Sequence, residues 1–132
     1  MSKLVQLKDS EGNVYPIIKG ITLYENSNGT NTFPITLSKE SEKFSRIDVL
    51  FGANHGGNMY KVITFYKGFL QGVLDITIKS PAENVIFTSS KPVKFVGKQF
   101  QQLAIGQEYN SYRGTSNIST WSPYIYKIIG YY

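Results

Sequence analysis

Nine carboxylates, fourteen basic side chains, one histidine and no cysteine set the chemistry available to this chain. Without cysteine there are no disulfides, thiol nucleophiles or thiolate metal sites. A single histidine, His55, rules out a histidine-rich metal set. A nucleophilic triad needs that histidine beside a Ser, Cys or Thr, yet His55 sits in GANHGGN (Gly52 to Asn58), and no serine stands in a GxSxG elbow. Asp48, Asp75, Glu83 and Glu108 are formally available as the paired carboxylates of a glycosidase. Asp48 and Asp75, however, fall at polar positions of alternating segments, where solvated charge is the ordinary state. Gly52, Gly56 and Gly57 suggest a phosphate cradle, but a P-loop ends in Lys-Ser/Thr and opens a helix. Here Asn58-Met59-Tyr60-Lys61 opens a strand. The expectation is a β-hairpin connection, with Asn54 and His55 at its tip able to touch a ligand or a second copy. The chain reads as non-enzymatic, with no cofactor and no metal.

Recognition is better represented than reaction. A saccharide offers CH faces that stack on aromatic rings and hydroxyls that need planar polar partners, so its sites pair an apolar platform with a few placed polar groups. The segment EYNSYRGTSNISTW (Glu108 to Trp121) supplies both: Tyr109, Tyr112 and Trp121 as platforms, Asn110, Arg113 and Asn117 as polar partners. It is long, polar and irregular, as binding loops are. The competing reading is structural. The single Trp of a small β-sandwich is as often core, and Tyr residues often line subunit contacts.

The elements that must hold these residues are strands. Helical periodicity is nearly absent and period-two alternation is widespread. Phe33, Ile35 and Leu37 point one way; Ile47, Val49 and Phe51 share a face, with Arg46 and Asp48 on the other; Leu74, Ile76 and Ile78 alternate with Asp75, Thr77 and Lys79. Such patterning suits antiparallel sheets with one buried face. Turn signals separate the runs at intervals of about ten residues: DSEGN (Asp9 to Asn13), the Asn28-Gly29 pair, GANHGGN, KSPAEN, SSKP and NSYRGTSN. The only helix candidate, LSKESEKFSRI, is short enough to be a turn instead, with Ser38 as cap and Ser41 or Glu42 in support. The last nine residues, YIYKIIGYY, are apolar on both parities. They predict a strand begun after Pro123, closing the sandwich at one edge and covered on both sides, the second cover being a neighbouring subunit. The expectation is one domain over residues 1–132, an all-β antiparallel sandwich with jelly-roll-like connections.

Charge and hydropathy bound the partners. The formal net charge of +5 is spread singly along the chain, which reads as solubilising charge and not as a nucleic-acid patch. The densest stretch, KPVKFVGK, turns Lys91 and Lys94 to opposite faces. No apolar run approaches the ~20 residues that cross a bilayer, and MSKLVQLKDSEG lacks the apolar core of a signal peptide. The expected product is soluble, made in the cytoplasm, without membrane insertion, and leaves the cell, if it does, by a route such as lysis.

Three stretches carry a family resemblance: LVQLKDSEGNVYPI (Leu4 to Ile17), FPITLSKESEKFSRIDVLFGANHGGNMYKV (Phe33 to Val62) and YIYKIIGYY. In this order they resemble small tail-associated receptor-binding or baseplate domains of phages that infect Gram-positive bacteria. Together they cover about half of the chain; Ser80 to Ser122 carries little likeness. The resemblance implies a small β-sandwich, often jelly-roll-like and trimeric, on a virion appendage. The implied role is adhesion to a host cell-wall saccharide. The alternative is an accessory component of baseplate, collar or capsid that binds only other virion proteins. A homotrimer gains adhesion from several weak sites.

Overall fold

The computed structural model describes residues 4–8, 10–54, 58–80, 85–111 and 118–132. They form twelve strands: β1 (Leu4–Lys8), β2 (Val14–Ile18), β3 (Ile21–Thr30), β4 (Ile35–Thr36), β5 (Arg46–Asn54), β6 (Asn58–Tyr66), β7 (Gln71–Ser80), β8 (Val85–Val96), β9 (Gln99–Gln102), β10 (Gln107–Asn110), β11 (Ile118–Thr120) and β12 (Tyr124–Tyr131). All pairings are antiparallel. β1 and β2 make a separate two-stranded hairpin around DSEGN. The four-stranded sheet runs β3-β12-β5-β6. The six-stranded sheet runs β11-β10-β8-β9-β4, with β7 on the other side of β8.

The two larger sheets pack face to face around one apolar core. Ile47, Val49 and Phe51 turn inward from β5, and Leu74, Ile76 and Ile78 from β7, as the alternation requires. Phe65 of β6 crosses the gap, with its ring centroid 5.1 Å from that of Phe95 and 6.2 Å from that of Phe100; Phe95 and Phe100 stack at 4.3 Å. The fold is the all-β sandwich expected of the sequence.

Four local expectations are corrected. The helix candidate is the turn its length allowed, a single 3-10 turn at Ser41–Lys43, but Ser38 does not cap it; the Ser38 hydroxyl donates to the Thr22 carbonyl instead. Ser41 and Glu42 reach across to the β8–β9 turn. The Ser41 amide donates to the Gly97 carbonyl (2.8 Å), and the Gly97 amide donates to Glu42 Oε1 (2.8 Å). Asn28-Gly29 does not separate two strands but lies within β3. There the partners of β12 jump from Thr30 to Glu25 while β12 advances only from Ile125 to Lys127. Gly29, at φ 76°, supplies the left-handed residue that such a register jump can use. The C-terminal strand is an inner strand, not an edge: β12 pairs with β3 on one side and β5 on the other. Finally, Lys91, expected as dispersed solubilising charge, is only 5% exposed. It points into the core from β8, with its Nζ 5.2 Å from the Phe33 ring centroid.

Candidate functional site

The saccharide residues chosen from sequence are brought together only in part. Trp121 is 7% exposed and belongs to the core, with its amide bonded to the Gly106 carbonyl at 3.0 Å. Its ring is therefore not an open stacking platform. Tyr109 is half-buried in β10, opposite Thr88 and Ile118. Asn110 ends β10 opposite Phe87, and Asn54 ends β5 opposite Asn58, as a hairpin connection requires. His55, Tyr112, Arg113 and Asn117 lie outside the described residues.

The flanking strands nevertheless share an end. Lys61 of β6 reaches Asp75 of β7, Ser80 pairs with Val85, and Asn110 pairs with Phe87. The chain therefore leaves β5, β7 and β10 at the same end of the sandwich. The sequence alone does not reveal this grouping, because those strand ends are about thirty residues apart and meet only through sheet topology.

Among the described residues, Asp48 and Asp75 do not form a catalytic pair; Glu83 lies outside the described residues. Asp48 lies on the outer side of the four-stranded sheet, where Thr64 Oγ1 donates to it at 2.8 Å and Arg46 Nε lies 3.5 Å away. Asp75 belongs to the other sheet and sits 3.4 Å from Lys61 Nζ. Beside the core Ser89 Oγ donates to the half-buried Glu108 Oε2 at 3.3 Å, two residues along β8 from Lys91, whose ammonium is pushed below its ordinary pKa by burial. Among the described residues, no three His, Cys, Asp or Glu side chains gather in a set able to hold a metal ion. An open depression of about 420 Å³ beside the β6–β7 turn is lined by Phe69, Leu70, Gln71 and Lys94 to Val96. It holds no carboxylate or histidine.

The most distinctive surface carries no local motif: it is the outer face of the four-stranded sheet. Register places its side chains in rows. Tyr60, Gly52 and Tyr124 form one; Val62, Leu50 and Lys127 the next; then Thr64, Asp48 and Ile129; then Tyr66, Arg46 and Tyr131. Tyr60, Val62 and Tyr66 are 54%, 56% and 58% exposed, and Tyr124, Tyr126, Ile129 and Tyr131 are half-buried beside them. The bulge in β12 brings Tyr126 over Gly52, where a Cβ would lie 3.2 Å from its ring. Tyr126 meets Tyr60 edge-on, with centroids 5.1 Å apart. Burial, then the neighbouring Tyr60 and Tyr124, raise the Tyr126 hydroxyl above its ordinary pKa, so it stays neutral and a donor. At the far row the Arg46 guanidinium stacks 4.1 Å over the Tyr131 ring. This arrangement suits a flat protein contact, because Tyr and Arg supply large, rigid area with polar tips. The sequence signal was the apolar character of both parities in MYKVITFY and YIYKIIGYY; strand order sets their outer sides on one surface. No protein-family model matches the chain, and no curated protein matches it.

Proposed function

We propose that this chain is a non-enzymatic structural component of a phage virion appendage that binds other virion proteins through the outer tyrosine face of the β3-β12-β5-β6 sheet. The observation that carries the docking role is that face itself, where Tyr60, Val62 and Tyr66 stand more than half exposed beside the half-buried Tyr124, Tyr126, Ile129 and Tyr131, Tyr124 and Tyr131 sharing their rows with Tyr60 and Tyr66. A patch of exposed aromatic and aliphatic groups on a small domain marks a contact, and the Arg46, Asp48 and Lys127 that lie in its rows are already paired or stacked within the sheet. The phage assignment is supported by the likeness of the three sequence stretches and is an analogy at the level of family. The test is incorporation. A phage lacking the chain is complemented with Tyr60→Ser/Val62→Thr/Tyr66→Ser, and the chain is quantified on purified particles. Loss from the particle with an unchanged melting temperature is expected; wild-type incorporation removes the reading.

Adhesion to a host cell-wall saccharide is the second reading, favoured by the shared end at which the strands flanking the sequence-chosen residues terminate. A homotrimer would present three such ends, each binding with Kd of about millimolar to micromolar. Retention of the purified chain on isolated host cell walls tests it; no retention at protein concentrations well above micromolar rejects it.

A further inference from the structure

We propose that the chain forms a two-fold symmetric dimer with a second copy of itself by antiparallel pairing of β7 along its open edge, centred on Thr77. Among the described residues β7 pairs only with β8. The Phe95 amide donates to the Leu70 carbonyl at 2.8 Å, which continues the β7–β8 register by one residue. Antiparallel ladders alternate, so the even-numbered residues Gly72 to Ser80 direct their backbone groups at β8. Val73, Asp75, Thr77 and Lys79 direct theirs outward. Pro92 of β8 agrees with this phase: it lies opposite Val73, where no amide is needed towards β7. The Lys61 ammonium also agrees, since it donates to the outward Asp75 carbonyl at 3.1 Å. In a register centred on Thr77 that carbonyl is the acceptor for the Lys79 amide of the second copy, so each Lys61 gives up the Asp75 carbonyl and carboxylate as the strands pair.

An open edge specifies an extended backbone as its occupant, and the side chains select this one. In a register centred on Thr77, Asp75 lies directly opposite Lys79 of the second copy, twice over, and Thr77 lies opposite Thr77. On the inner side Ile76 meets Ile78 of the second copy, extending the apolar face that both supply to the core. Centring on Asp75 would oppose like charges, and centring on Ile76 would leave Lys79 against Val73. Opposite charges facing across a strand pair favour it and like charges oppose it. Self-complementarity of one patch is what a two-fold contact demands.

Sedimentation of the whole chain from about 10 µM to about 1 mM tests the proposal. The wild type is expected to pass from monomer to dimer. Asp75→Lys and Lys79→Asp each place like charges at both contacts and are expected to weaken association at least tenfold. Mixed together, these two variants restore both ion pairs and are expected to form a heterodimer at least tenfold more stable than either homodimer. Thr77→Pro, which removes an outward amide and spares the β8 ladder, is expected to remain monomeric with circular dichroism unchanged. A wild type that stays monomeric throughout overturns the proposal. A trimer overturns it as well, and so does a dimer indifferent to the charge variants or a mixture that fails to associate. None of these residues lies on the tyrosine face, so failure here leaves the docking reading standing.

Discussion

Lys91 is a charge held where charge is costly. Its side chain lies between Ser89 and Val93 on the inner side of β8, and burial lowers its pKa. Because the folded state binds that proton less tightly than the unfolded chain does, the ammonium opposes folding at neutral pH, and the opposition fades as pH climbs towards the unfolded value near 10.5. Lys91→Met keeps the stem's volume and removes the charge. It is expected to stabilise by about 1 kcal/mol, raising Tm by about 4 °C at pH 7, with the gain shrinking as pH rises towards 10.5; an unchanged Tm at pH 7 contradicts it. Gly130 is the opposite case, a residue that is nothing but space. A Cβ there would lie 2.6 Å from Phe44 Cδ1, and Phe44 is fully buried against Tyr132. Gly130→Ala is expected to cost about 1–3 kcal/mol through overpacking, seen as a lower midpoint in denaturant; a midpoint equal to wild type would mean that Phe44 moves freely.

At the scale of elements, the alternating strands were legible and the irregular ones were not. Ile47-Val49-Phe51 and Leu74-Ile76-Ile78 read directly because one wet face and one dry face impose a period of two. Asn28-Gly29 was misread because the same φ > 0 preference serves a tight turn and a bulge; only the partner strand, a hundred residues away, decides which. Trp121 was open between platform and core, since one ring suits both, and packing against the second sheet decided for core. Glu42, placed by pattern as helix support, instead fastens the 3-10 turn to the β8–β9 turn. The Gly97 amide, then its own amide and the Ser41 hydroxyl hold the Glu42 carboxylate below its ordinary pKa, against a smaller opposing effect of burial. A depressed folded value means the stabilisation is present above the unfolded pKa near 4.5 and is lost as pH falls through the folded one. Wild type is expected to melt above Glu42→Gln at pH 6, with the gap closing as pH drops below about 4; a gap constant from pH 6 to 3 would show that the carboxylate is not charged in this contact.

For the molecule as a whole, the placement of β12 is the governing fact. β12, the final strand in this sequence, is an inner strand that joins β3 to β5. Without it the four-stranded sheet separates into a β5–β6 hairpin and a lone β3, and the fully buried Ile125 and Ile128 leave the core. A hairpin alone is marginal in water, and opening an inner position exposes two new edges. The greasy ending is thus a structural keystone, and the surplus apolar character on its second parity builds the tyrosine face. Removing Tyr124 to Tyr132 is therefore expected to abolish cooperative unfolding, not merely to lower its midpoint. Deletion of a frayed tail would shift Tm by a degree or two; loss of an inner strand should leave a chain whose circular dichroism at 20 °C changes without a thermal transition. A truncated chain that still melts cooperatively would mean that β3 pairs with β5 directly, and the sheet order described here would have to be abandoned.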